Sequence, residues 1–231
     1  MTHPVIVRNI DRPAPEVVSG LAAAGVATIH EAAGRTGLMG PAIRPIQDGV
    51  RIGGSAVTAL CPPGDNMMLH AAVEVTQPGD VLVVATMSQS TDGMLGDLLA
   101  TSLHHRGCIG VVIDAGVRDV AELRAMEFPV WSAAIHAQGT VKASPGSVNI
   151  PVVCAGIDVE PGDVVVADDD GVVVVPRSRT TDVLYAANDR LAKEADTRRR
   201  LEDGELGLDF YGLRDRLEAL GVRWVDSADD I

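Results

Sequence analysis

Cysteine is scarce in this 231-residue chain: Cys61, Cys108 and Cys154 form no CxxC pair and no even set. That argues against a disulfide framework and for buried thiols in a reducing, cytoplasmic compartment. Lysine is scarcer still. Of 19 basic residues only Lys142 and Lys193 are lysines. An imine-forming enzyme needs a desolvated lysine of lowered pKa. Lys193 sits in a charged run, and Lys142, in GTVKAS, reads as part of a surface turn. Carbon–carbon chemistry in this chain would therefore fall to a metal. Basic runs are nearly absent too: Arg198-Arg199-Arg200 is the one dense cluster, acids flank it, and the net charge is −13. Nucleic acid, which is held through its phosphates, is excluded as a direct ligand on that balance. No apolar run approaches the roughly 18 residues that span a bilayer, so no membrane association is expected. The opening MTHPVIVRNIDR has neither the charged start nor the apolar stretch of a secretory leader. GxSxG, GxxxxGK[ST], HExxH and a post-strand GxGxxG are all missing.

What is present is an aliphatic core. Hydrophobic residues make up 46% of the chain and aromatic ones 3%, which suits an α/β protein with buried Val- and Ile-rich strands. The patterning predicts helices at 14–24, 66–75, 94–106 and 119–127 and strands at 53–60, 81–86, 109–114 and 129–133. Thr28 and Glu31 have the spacing of a capping box that would open a further short helix. From Ile150 to Pro176 three apolar strands alternate with turn signals, Asp170-Gly171 marking a hairpin. Asp168-Asp169-Asp170 lacks the spacing of a calcium loop and reads as that tight turn. QPGDVLVVA (77–85) and EPGDVVVAD (160–168) echo each other as two similar turn–strand units. A long charged helix is expected at 178–201 and a last one at 209–220. The expectation is one α/β catalytic domain of mixed sheets, 1–177. A C-terminal helical arm, 178–231, would cross to a neighbouring subunit.

One transition stands out. Arg118-Asp119 follows the apolar run VVIDAGV directly, at the start of a predicted helix. Asp119 and Glu122 have capping-box spacing, so a helix cap is one reading. The other is a site, because open α/β sheets hold ligands beyond the carboxyl ends of their strands. DGMLGDLLA places Gly93 and Gly96 at another helix entry, whose backbone N–H groups at Gly96, Asp97, Leu98 and Leu99 would bind an anion. A helix start for a carboxylate, an arginine fork and an oxygen ligand for a hard cation together suit a 2-oxo acid. His104 and His105, adjacent on a helix, point about 100° apart and do not share a metal. His30, His70 and His136 are scattered, and of these His70 follows a loop that could approach a site.

The stretches PGDNMMLHAA, TDGMLGDLLATS, IDAGVRDVAELRAMEFPVWS, GSVNIPVVCAG and PGDVVVADDDGVVVVP resemble the class II pyruvate aldolases. These cleave 4-hydroxy-4-methyl-2-oxoglutarate and 4-carboxy-4-hydroxy-2-oxoadipate, and share a fold with the regulator of ribonuclease E activity. The family pattern is a glycine, a spacer, then Arg-Asp with an acid three residues on. Here it is met by Gly96, 21 intervening residues, Arg118-Asp119 and Glu122. The tail LGLDFYGLRDRLEALGVRWVD resembles the aldolase branch. The resemblance implies an α/β/β/α sandwich assembled as a homotrimer or homohexamer. Asp119 would bind Mg2+ or Mn2+. Arg118 would bind the substrate and stabilise the enolate, and the Gly96–Leu99 backbone would hold its carboxylate. Glu194 would join the metal's water shell from the adjacent subunit. Retro-aldol cleavage would release pyruvate, with oxaloacetate decarboxylation as a side activity, in the breakdown of aromatic acids such as protocatechuate or gallate. Two other readings are a non-catalytic regulator of a ribonuclease, on the same fold, and a quinone-precursor methyltransferase. The latter would require a Gly-rich loop after a first strand, which is missing.

Overall fold

The computed structural model describes residues 3–231, apart from the side chain of Asp230. Met1 and Thr2, at the head of the stretch read against a leader, lie outside the described residues. One compact unit ends at Asn188 and a second covers Asp189–Ile231.

The first unit opens with helices α1 (Pro15–Ala24) and α2 (Val26–Ala32) and strands β1 (Arg44–Pro45) and β2 (Ile52–Cys61). Alternating elements follow: α3 (Met67–Val75), β3 (Asp80–Thr86), β4 (Gly93–Leu95), α4 (Asp97–His105), β5 (Gly110–Val117), α5 (Val120–Ala125) and β6 (Val130–Ile135). Then come β7 (Ser147–Val148), β8 (Val152–Cys154), β9 (Ile157–Val159), β10 (Val164–Asp168) and β11 (Gly171–Val175). Helix α6 (Thr180–Glu202) contains the division between the units, and the second unit adds α7 (Gly207–Phe210) and α8 (Leu213–Ala219).

The main sheet runs β1-β6-β5-β3-β2-β10-β11, with β4 on β5 and β7 on β2, while β8 and β9 form a separate hairpin. Strands β2, β3, β5 and β6 are parallel, and β10 is antiparallel to both β2 and β11. Strand β2 is the joint: its first residues pair with β10 and Ser55–Cys61 pair with β3. Gly54 lies at that passage, where an added Cβ would overlap the Gly79 carbonyl. Period-two alternation then builds the layers. Val57, Ala59, Leu82, Val84, Val111 and Ile113 face the helices α3, α4 and α5. Val81, Val83 and Val112 pack instead on Val165, Ala167, Val172 and Val174. The opposite side of that β10–β11 hairpin, Val164, Val166, Val173 and Val175, covers Leu21, Ile29 and Val183 of α1, α2 and α6. The result is the expected α/β/β/α sandwich. Its inner strands are continuous valine runs because both of their faces are buried.

Four local expectations change. Helix α2 opens at Val26, not at Thr28, which is buried inside it. Its cap is remote: Asp168 Oδ2 accepts the Val26 N–H at 3.0 Å after Gly25 turns the chain at φ 81°. The helix expected at 94–106 begins only at Asp97, because Gly93–Leu95 pair with β5. Between Ile150 and Pro176 there are four strands rather than three, since β8 and β9 make their own hairpin. The last helix is broken at Gly212, which sits in the left-handed region at φ 64°. Among the described residues no helix is long and apolar enough to cross a membrane.

Candidate active site

Strand β5 ends at Val117 and the chain turns sharply. Asp119 takes the left-handed conformation, φ 55° and ψ 40°, and makes no side-chain cap bond to α5. The Asp119–Glu122 capping box therefore does not form. A non-glycine residue held there costs roughly 1–3 kcal/mol and persists where the surroundings demand it. Here the demand is the aim of the carboxylate. Asp119 Oδ2 accepts the Asp97 N–H at 3.3 Å, reaching across to the start of α4. The same oxygen lies 3.6 Å from Arg118 Nε. Gly96, the residue before α4, has no room for a side chain, because an added Cβ would overlap Asp119 Oδ2 and lie 3.2 Å from Arg118 Nε. The glycine of the sequence pattern and its Arg-Asp pair are thus in direct contact across 21 intervening residues.

These groups line one cavity of about 240 Å³, together with Leu98, Leu99, Met94 and Gly93. Every first-unit residue anticipated for the site, Gly96, Asp97, Leu98, Leu99, Arg118 and Asp119, is on its wall. The α4 N-terminus differs from expectation in one respect: two of its N–H groups are already engaged. That of Asp97 goes to Asp119, and that of Leu98 to Asp97 Oδ1 at 2.7 Å. Both partners are carboxylates, as expected of a helix start that favours anions. Glu194 belongs to the second unit, where Arg190 Nε pairs with its Oε1 at 2.8 Å. Its helix neighbour supplies that contact at i,i+4 spacing.

Three more wall residues come from the start of α3 and from the loop after β6: Asn66, His70 and Lys142. Sequence reading placed Lys142 on an uninvolved turn and left His70 undecided. Only the path of the 136–142 segment, which passes β4 and reaches the start of α3 through a parallel bridge of Val141 to Asp65, brings them together. Gly93 N–H donates to the Gln138 carbonyl at 2.8 Å and Asn66 N–H to the Val141 carbonyl at 3.1 Å. Burial, and then the Lys142 charge, lower the His70 pKa from its ordinary value, which favours the neutral imidazole. The three cysteines lie elsewhere in the core and are inert. Burial pushes Cys61 up to about 12 and Cys108 up to about 11, and raises Cys154 as well.

A divalent cation has a modest donor set here. Among the described residues no three His, Cys, Asp or Glu side chains converge. The hydrogen bond and the ion pair of Asp119 both fall on Oδ2, which leaves Oδ1 as the ligand atom of a residue on the cavity wall. The Asp119 carboxylate, with Asp97 on the same wall and solvent completing the shell, fits Mg2+ or Mn2+ and does not fit a closed zinc site.

Comparison with known proteins places the chain in a family. The family model described as RraA-like, Aldolase/RraA, matches residues 26–174. A protein of Halalkalibacterium halodurans is 29% identical over 169 residues, 73% of this chain and 80% of its own length. One of Burkholderia multivorans is 36% identical over 149 residues, 64% of this chain and 90% of its own. Both carry the name "Putative 4-hydroxy-4-methyl-2-oxoglutarate aldolase". Among solved structures, Streptomyces coelicolor RraAS2, described as an unusual member of the RNase ES inhibitor RraA protein family, superposes with a TM-score of 0.73. It is 31% identical and the match covers 82% of this chain and 99% of that one. With the family model spanning both the Gly96 turn and the Arg118-Asp119 pair, this chain belongs to the RraA-like, Aldolase/RraA family.

Proposed function

We propose that this chain is a divalent-metal-dependent carbon–carbon lyase. Its substrates would be 4-hydroxy-4-methyl-2-oxoglutarate, cleaved to two pyruvates, and 4-carboxy-4-hydroxy-2-oxoadipate, cleaved to pyruvate and oxaloacetate. The observation that carries the reading is the contact of Gly96 with Arg118 and Asp119 on one cavity wall. Lys142, on the same wall, is exposed and is not the desolvated lysine that an imine requires, so an aldolase here needs a carboxylate to hold a cation and a guanidinium to meet the enolate. The names of the two bacterial relatives support the same chemistry.

Asp119 would hold Mg2+ or Mn2+ through Oδ1. When bound, such a cation supplies Lewis-acid polarisation of the 2-oxo group. Arg118 is half-exposed and hydrogen-bonds the substrate's 2-oxo acid end. As a base takes the C4 hydroxyl proton, C4–O becomes the carbonyl of the departing product and the C3–C4 bond breaks; its electrons flow into the pyruvyl half, the charge that develops on the enolate oxygen falls beside the guanidinium, and a proton returned to C3 completes pyruvate. One preorganised contact of that kind is worth roughly 3–4 kcal/mol. The α4 start, which already orients N–H groups on carboxylates, lies beside the substrate carboxylate. Loss of a carboxyl group from oxaloacetate passes through the same enolate, so decarboxylation accompanies cleavage. We further propose that the chain works as a homotrimer or homohexamer in which Glu194 of segment 178–231 serves the site of an adjacent copy. Exposed apolar side chains in the second unit, Leu206, Tyr211, Leu220 and Trp224, support self-association.

The test is pyruvate release from racemic 4-hydroxy-4-methyl-2-oxoglutarate, coupled to lactate dehydrogenase, with Mg2+ and again after excess EDTA. Release that stops with EDTA and returns with Mg2+ is expected; release that survives EDTA would remove the metal. No release from either substrate would favour the second reading, a protein regulator of a ribonuclease, for which the description of the Streptomyces relative speaks. Capture of a ribonuclease E-type partner by the inactive protein would then establish it.

A further inference from the structure

We propose that Lys142 sets substrate specificity by pairing with the carboxylate at the far end of the 2-oxo acid, the one that does not belong to the pyruvyl half. The inference rests on the aldolase reading above and deepens it.

Lys142 is one of two lysines in the chain, and it stands on the wall of the cavity that holds Arg118 and Asp119. Its place is separate from that of the guanidinium. An added Cβ on Gly139 would lie 3.2 Å from Arg118 Nη1, so the segment passes the arginine there. Lys142 follows three residues later, a run that spans up to about 10 Å. It meets the start of α3, where Val141 N–H donates to the Gly64 carbonyl at 3.0 Å. The cavity therefore carries two cations set apart along one strand of chain.

The fold fixes this position at some cost. Asp65 is 2% exposed, and its Oδ2 accepts the N–H groups of Ala143 and Ser144 at 2.7 and 2.6 Å, while Oδ1 accepts that of Met67 at 2.9 Å. Burial alone would raise this carboxyl. The three N–H donors and the Lys142 charge outweigh it and hold Asp65 below the usual carboxylate range. Burying a carboxylate is unfavourable unless it is fully bonded. Here the bonds clamp the two residues after Lys142, the Val141 N–H on the Gly64 carbonyl holds the residue before it, and the lysine side chain itself is exposed. An exposed lysine whose neighbours are pinned on a cavity wall is a preorganised anion partner.

Chemistry calls for such a group. A molecule with a net charge of −13 repels a dianionic or trianionic substrate, so local cations must focus the field at the mouth of the site. Arg118 is occupied by the 2-oxo acid end, and Lys142 is the remaining full cation on the cavity wall.

The experiment compares two uncleavable ligands by equilibrium titration in Mg2+ buffer: 2-oxoglutarate, which carries the distal carboxylate, and 2-oxopentanoate, which is the same chain without it. The wild type should bind 2-oxoglutarate about tenfold tighter, as one charged hydrogen bond allows. Lys142→Met should reduce the preference to within about twofold and leave 2-oxopentanoate binding unchanged; Lys142→Arg should keep it. A preference that persists in Lys142→Met, or is missing in the wild type, overturns the assignment. Exchange of pyruvate methyl protons with deuterium is followed in parallel, since it needs only the pyruvyl end. Exchange in both proteins with an unaltered preference would sink the Lys142 role alone. A wild type that neither exchanges pyruvate protons nor cleaves would sink the aldolase reading and this role with it.

Discussion

Gly96 shows how much chemistry can depend on a missing side chain. Its φ of −140° suits any residue, so no backbone demand selects glycine. Space does, because Asp119 Oδ2 fills the volume a Cβ would take. Gly96→Ala should displace the carboxylate and the guanidinium together. Turnover should fall about 10²- to 10³-fold, the loss typical of one misplaced electrostatic contact. Thermal stability should shift little, because the contact is half-exposed. A variant with wild-type kcat would show that the contact is incidental. Asp119→Asn separates charge from backbone: asparagine tolerates the left-handed region as aspartate does, so the melting temperature should hold within a few degrees. Mg2+-dependent turnover should vanish, and calorimetric titration should find no Mg2+ binding. Tight Mg2+ binding by this variant would remove Asp119 as the ligand.

At the scale of elements, the recurrent device is a buried aspartate that clamps a turn. Asp80 accepts the Gln77 N–H at 2.7 Å and Asp163 the Glu160 N–H at 3.0 Å, which is the physical basis of the two PGD echoes in the sequence. Asp80 also takes a bidentate pair from Arg12 at 2.7 and 2.8 Å. Asp65 does the same for the Lys142 segment, and its pH dependence has a definite sign. A carboxyl held below its unfolded value, about 4, contributes stability that is complete above that value and is lost as pH falls through the folded one. Hydrogen-exchange protection of the Ala143 and Ser144 amides should therefore be constant from about pH 8 to 5 and collapse only in stronger acid. Collapse near neutral pH would mean that Asp65 is not the clamp. Asp65→Ala leaves three N–H donors without that partner and should cost about 2–3 kcal/mol in chemical denaturation. An unchanged midpoint would contradict the clamp equally well.

For the whole molecule the question is whether the site is complete in one chain. Among the described residues the cavity contributes one carboxylate suited to a cation by position, and Glu194 lies in the separate C-terminal unit. Sites shared between copies have a simple signature. Asp119→Ala and Glu194→Ala should each be inactive, and mixing them under subunit exchange should restore a fraction of the activity, because some assembled sites then contain both wild-type residues. A mixture as inactive as its parts would place Glu194 outside the mechanism.

Local chemistry by itself determined most of the elements. The valine runs marked strands buried on both faces and Asp170-Gly171 marked a hairpin, since each is a short-range pattern with a short-range cause; Gly96 and Arg118-Asp119, which the resemblance singled out across 21 residues, lie on one cavity wall. Tertiary structure alone decided the rest. Thr28 had capping spacing, yet Asp168, 140 residues further on, caps α2 instead. Asp119 had capping spacing too, but the demand for a carboxylate beside Gly96 turned it into the left-handed region. Lys142 carried no signal and His70 only the loop before it, because what makes them wall residues is a loop returning from β6 to α3, a pairing that spacing along the chain does not encode.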